Sequence, residues 1–246
     1  LGQKIRVKTS MNMNINIISL CCLIWTILAY ALAKRIHQYY GKFWLNPAIT
    51  VAATTIILMV LLGISYQTYW EDTAWIVALL SPATVAFAIP IYQYRRLIYR
   101  YAAVMSASII VGMVVGIVTI LACAKIFHFD NIITYSLMAR SISTPFALDL
   151  AQKIHGSASL VSLFTLITGI VGLVIGDIIL GWSHIRFHLA NGVAFGNASH
   201  GFGTARASQR NESEGVIASL TMILAGLFMV FFGPFTIQCI IWVFSI

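Results

Sequence analysis

ANGVAFGNASHGFGTARASQR, from Ala190 to Arg210, lies between two long apolar segments yet carries Gly192, Gly196, Gly201 and Gly203, with His200 and Arg206 among them. Glycine in a helix interior costs roughly 1 kcal/mol relative to alanine. Four of them at a depth where hydrocarbon is the surrounding medium argue against a smooth helix. A backbone that breaks inside a membrane must be satisfied by protein or by a water-filled cavity. Two readings are open: a solvent-exposed loop, or a broken helix lining a polar cavity. Val193, Ala194, Phe195, Ala198, Phe202 and Ala205 are too apolar for an ordinary loop. The broken helix is therefore expected, offering Asn197, Ser199, His200, Thr204 and Arg206 to a ligand.

The composition around this stretch sets the class. Of 246 residues, 60% are hydrophobic and 9% charged, against about 25% charged in a soluble domain. The chain is read as an all-α polytopic membrane protein embedded in lipid. Its net charge of +8 does not imply nucleic acid, because the bases stand at segment ends rather than on one face. Cytoplasmic loops accumulate Lys and Arg, which explains them better. Residues 1–14 are read as a polar N-terminal extension and 15–246 as a single transmembrane domain. Cys21, Cys22, Cys123 and Cys239 lie in apolar runs without metal-ligand spacing and are read as small hydrophobes. No metal or cofactor is expected.

A span needs about 20 apolar residues. Ile15–Ala33, Ala48–Ile64, Ala102–Ala124, Ala158–Gly181 and Val216–Phe244 qualify. Three further segments are interrupted: Thr73–Tyr92 by Pro82 and Pro90, Ile132–Leu150 by Arg140, Pro145 and Asp149, and the glycine-rich stretch. This makes about seven or eight hydrophobic segments, some broken or re-entrant. If basic loops face the cytoplasm, Lys34, Arg35 and Lys42 and then Arg95, Arg96 and Arg100 alternate correctly. Arg186 falls on the same side only if Ile132–Leu150 turns back. Segments two to four and six to eight would then run in opposite orientations, the pattern of an inverted repeat.

Three constellations carry candidate chemistry. In Leu79–Tyr92 the prolines, with Ser81 and Thr84, suit an unwound helix; a kinked packing helix is the alternative. In Ala139–Asp149, Arg140 adjoins Ser141, Ser143 and Thr144. A charge at bilayer depth marks a functional site by default, and guanidinium binds carboxylate bidentately. A helix starting behind Ser143, with Pro145 in its first turn, would add a positive dipole end. Otherwise Arg140 snorkels to the interface. In the third, the expected breaks are Gly196, Gly201 and Gly203, Arg206 is an anion partner, His200 or Asp149 could relay a proton, and Asp149 or Asp177, the only acids in the later apolar regions, could instead pair with an arginine. Catalysis is not expected: HExxH, G-x-S-x-G and a phosphate loop are all missing from the sequence.

SPATVAFAIPIY at 81–92, RSISTPFALDL at 140–150 and GNASHGFGTARA at 196–207, in this order, resemble the LrgB/CidB/YohK family of bacterial membrane proteins. The resemblance extends to Asn46-Pro47, LLGISYQTY at 61–69, TGIVGLVIG at 168–176 and EGVIASL at 214–220, and so runs from Leu45 to Pro234. It implies a multi-pass protein of the bacterial cytoplasmic (inner) membrane with one of two roles. The first is transport of small monocarboxylates of the pyruvate, lactate, glycolate or glycerate type by alternating access, as in the related plastid glycolate/glycerate translocator. The second is antiholin-like regulation of murein hydrolase activity and lysis with a small LrgA/CidA-type partner, for which Gly112-x-x-x-Gly116 offers a packing face. A homo-oligomer, as a dimer, is expected. The substrate site would comprise Arg140, Ser141, Ser143, Thr144, Asn197, Ser199, His200, Thr204 and Arg206, with Ser81 and Thr84 beside Pro82. Three positions depart from the family pattern: Arg140 for the usual Lys, Asn197 for Thr, and His155-Gly156-Ser157-Ala158 for Gly-Gly-Ile-Pro.

Overall fold

A computed structural model describes residues 17–41 and 45–243, apart from the side chain of Thr84. The polar extension therefore lies outside the described residues, as does Lys42. The described chain is helical throughout its regular structure and divides into two compact units, one up to Leu80 and one from Ser81. Among the described residues five stretches are long and apolar enough to cross a membrane: Ile17–Tyr40, Tyr66–Gln93, Arg95–Phe127, Ala158–Trp182 and Glu212–Val243.

The first unit holds α1 (Ile17–Tyr40), α2 (Pro47–Leu62) and α3 (Tyr66–Ala78). Asn46 caps α2 by accepting from the Ala48 N–H at 3.0 Å, Pro47 opens it, and Gly63 ends it at φ 64°. Those signals hold α2 to 16 residues, about 24 Å. The Trp25 indole donates to Thr55 (3.2 Å) and the Thr26 and Tyr69 hydroxyls pair (3.1 Å), joining α1 to both neighbours.

The second unit begins with α4 (Leu80–Ala86) and α5 (Ala88–Gln93), then α6 (Arg95–Phe127). The turns at Leu79 and Phe87 each precede a proline by three residues. The proline ring opposes the carbonyl four residues back, which explains why Thr73–Tyr92 is broken where it is. Next come α7 (Asn131–Ala139), α8 (Thr144–Lys153), α9 (Ala158–Trp182), α10 (His188–Arg210) and α11 (Glu212–Val243).

Helices α7 and α8 fold back on each other. The Ser157 N–H, just past α8, donates to the Ser136 hydroxyl in α7 at 2.9 Å. A Cβ on Gly156 would lie 3.4 Å from the Ser136 nitrogen. A straight α8 of ten residues would carry its end about 15 Å away from the break instead. The pair is thus a hairpin with its tip at residues 140–143. Its buried face, including Phe146, Ala147 and Leu150, packs in the main apolar core with α6 and α11.

Helix α10 is a second hairpin. His200, at φ 49° and ψ −126°, interrupts it. Beyond the break Gly203 packs against the Phe195 carbonyl, eight residues earlier, which a continuous helix would place about 12 Å away. The first arm, 188–199, runs against α9, with Phe195 over Gly176 and Ser199 over Gly172. The second arm, 201–210, returns to α11.

The break is correct in place but not in cause. Gly196, Gly201 and Gly203 were expected to interrupt the helix, yet all three have helical backbone. Gly196 admits the Ala218 backbone of α11 and Gly203 the opposite arm. The reversal is made by His200, whose backbone holds a conformation that glycine adopts more readily. His128, His155 and His184 likewise take positive φ just beyond α6, α8 and α9. At 155 the left-handed turn, at φ 59°, is one that glycine adopts readily, and histidine adopts it here.

The two hairpins enter from opposite ends. The first has its base beside the end of α6 and the start of α9; the second has its base beside the end of α9 and the start of α11. The segment opposite the glycine-rich hairpin is therefore α7–α8, not Thr73–Tyr92, because only α7–α8 folds back to a tip.

Candidate functional site

The tips meet about halfway along α6 and α9. On the first, Arg140 donates through Nη1 to the Thr168 hydroxyl of α9 at 3.1 Å. Ser141 faces Gly116 of α6. Ser143 is the N-cap residue of α8 and is buried, Thr144 opens that helix half-buried, and Pro145 lies in its first turn. On the second, Asn197 donates through Nδ2 to the Ser108 carbonyl of α6 at 3.1 Å, its carboxamide against Gly112. Ser199 is buried against α9.

His200 links the tips. It is 3% exposed, and neither ring nitrogen makes a hydrogen bond of good geometry. Its electrostatic neighbours are the Ser141 backbone and the Arg140 guanidinium. A buried polar group without partners is costly, and cation and imidazole together leave donor capacity facing inward. The N-termini of α8 and of the second arm start at this point, so both positive dipole ends converge here.

Beside the tips is a cavity of ≈ 590 Å³ whose polar lining comes from Arg140, Ser141, Thr168, Asn197 and Ser108. Its remaining wall is small and apolar, as at Ala190, Ala194 and Ala198. Among the described residues no carboxylate pairs with Arg140. The arrangement suits a small anion.

Other expected site residues are elsewhere. Arg206 is a correction: its Nε pairs with Asp177 of α9 at 2.5 Å, so its charge is neutralised towards the base of the second hairpin. Thr204 turns its hydroxyl to the Gly201 carbonyl (2.8 Å). Asp149 is exposed on α8, about two turns from the tip, too far to relay a proton to His200. Ser81 and Pro82 are exposed on α4, outside the cavity, and Pro90 sits in α5 near Ser219 of α11. Thr84 lies outside the described side chains. Gly112 and Gly116 face the protein's own hairpin tips rather than a partner helix. Thr168 and Ser108 were not foreseen; each sits in an uninterrupted apolar helix where nothing in the sequence separates it from a packing residue.

The base of the second hairpin carries an ion network. Arg210 joins Asp177 (2.9 Å) to Glu214 (3.0 Å), and Glu214, 3% exposed, also holds His188 (3.0 Å) and Asn191 (2.9 Å). These pairs tie the hairpin to α9 and α11.

The LrgB-like family profile matches residues 26–239. The chain belongs to this family. Relatives include the uncharacterized protein YwbG of Bacillus subtilis, 31% identical over 90% of this chain and 98% of its own. The holin-like protein CidB of Staphylococcus epidermidis is 31% identical over 82% and 88%, and CidB of Staphylococcus aureus 29% over 87% and 94%. No solved structure matches this chain. With its apolar helices, this LrgB-like chain is a multi-pass bacterial membrane protein. Among its described residues no group of three or more His, Cys, Asp or Glu could hold a metal ion.

Proposed function

We propose that this protein moves a small carboxylate across the membrane by alternating access, binding it between the hairpin tips. The observation that carries the reading is Arg140. It lines the cavity at mid-depth, hydrogen-bonded to Thr168 and without an acidic partner among the described residues. An unpaired guanidinium there is costly unless a ligand uses it. Ser141 and Asn197 supply hydroxyl and amide groups, and His200 stands behind them. Arg95, Arg96, Arg100 and Arg186 gather at the end where the second hairpin enters, and the bias of Lys and Arg towards cytoplasmic loops supports a cytoplasmic position for that end.

The test is uptake of labelled pyruvate, lactate, glycolate and glycerate into proteoliposomes, with and without a pH gradient. Saturable uptake lost in Arg140→Ala is expected. Uptake that survives this substitution in correctly inserted protein would sink the reading.

The relatives' name, holin-like protein CidB, favours a second role more directly than it favours transport. In that role the chain acts on the envelope with a small LrgA/CidA-type membrane partner and moves no solute. Lysis phenotypes that persist in Arg140→Ala, together with no uptake by protein and partner combined, would select it.

A further inference from the structure

Two glycines one turn apart on α6 each face a different hairpin. Gly112 lies under Asn197 of the second, and Gly116 under Ser141 of the first. The two contacts differ in tightness. A Cβ on Gly112 would overlap the Asn197 amide nitrogen and stand 3.1 Å from its Cγ. A Cβ on Gly116 would meet only the Ser141 hydroxyl, at 3.2 Å, with the Ser141 Cβ at 4.0 Å. A hydroxyl can rotate aside. The Asn197 carboxamide cannot do so without giving up the Ser108 carbonyl, to which it donates at 3.1 Å.

We infer that Gly112 is a positioning residue for the ligand site: its bare backbone is the seat that fixes the Asn197 carboxamide, and so the depth at which the second hairpin tip faces Arg140. The inference rests on the carboxylate-site reading and adds to it the element of α6 that sets the geometry. Without the seat, the carboxamide swings towards the cavity that Asn197 and Arg140 both line. Substrate then binds poorly, although the fold away from α6 is unchanged. Removing the carboxamide removes the conflict, so a second substitution at Asn197 relieves the first.

The experiment compares wild type, Gly112→Ala, Asn197→Ser, Gly112→Ala/Asn197→Ser and Gly181→Ala in proteoliposomes. Gly181 has nothing within 4 Å of a Cβ and controls for adding a methyl to a helical glycine. Labelled pyruvate and glycolate are the probes, and the half-saturation concentration is read separately from the maximal rate. Gly112→Ala is expected to raise half-saturation at least about tenfold, while the double variant returns to within about threefold of Asn197→Ser alone. A merely structural glycine would lower the amount of inserted protein and leave half-saturation alone. Unchanged half-saturation in Gly112→Ala, or no recovery in the double variant, overturns the inference. If wild type takes up neither acid, the carboxylate-site reading has failed and the inference falls with it, a result distinct from wild-type uptake that Gly112→Ala leaves unchanged.

Discussion

Arg140 and Thr168 are joined across two helices by a 3.1 Å hydrogen bond from guanidinium to hydroxyl. The bond holds the charged end of the first hairpin at the middle of α9, and it uses one of five guanidinium donors. The rest make no hydrogen bond to protein among the described residues. Hydrogen bonds to a charged group contribute about 1.5–3 kcal/mol, so Arg140→Ala should reduce carboxylate uptake by more than about tenfold. Thr168→Val, which removes only the orienting hydroxyl, should cost less. Initial rates of labelled uptake measure both, and equal effects would mean that Arg140 serves only to join α7 to α9.

His200 separates stability from function. Its φ of 49° and ψ of −126° cost a non-glycine residue about 1–3 kcal/mol. His200→Gly should therefore melt no lower than wild type while losing uptake, and His200→Val should melt lower. Thermal unfolding alongside uptake measures this pair, and a lower melting temperature for the glycine variant would contradict it.

The network at the second hairpin's base should be unequal in its parts. Glu214 is buried and serves His188, Asn191 and Arg210. Without it the buried Asn191 amide loses its acceptor, and a buried polar group left unpaired costs about 1–3 kcal/mol, so Glu214→Ala should destabilise more than any other change in the network. Asp177 is 27% exposed and its partners more so, and solvent-screened pairs contribute at most about 1 kcal/mol. Asp177→Asn should shift the melting temperature only slightly. The same ranking should appear in detergent and in lipid.

Cysteine labelling tests the hairpins themselves. Substitutions at Phe129 and His155, at the two ends of α7–α8, should react with an impermeant maleimide from one face of the membrane. Those at Ile185 and Asn211, flanking α10, should both react from the other. Labelling of 129 and 155 from opposite faces would mean that α7–α8 crosses the membrane.

Much of this was legible because lipid leaves few options. A composition this apolar forces helices, and Pro145 behind Ser143 marked a helix start, whereas Pro82 and Pro90, read as unwinding their segment, sit inside the short helices α4 and α5. Arg140, a permanent cation beside Ser141, Ser143 and Thr144 in an otherwise apolar segment, was a candidate before any geometry was known. The glycines marked the right segment for the wrong reason: they permit close packing against α11 and between the arms, and a histidine makes the turn. Arg206 looked like Arg140 in sequence, but Asp177 lies in another helix and its distance from Arg206 is set by packing alone.

The sequence by itself determined the medium, the rough bounds of the apolar segments, the family and two candidate cations, Arg140 and Arg206, because each follows from local composition and spacing. The tertiary structure decided which segments turn back, which arginine is already paired, and that Asn197, Thr168 and Gly112 meet at the hairpin tips. These relationships join residues tens of positions apart, and only the packing of α6, α9 and the two hairpins brings them within reach of one another.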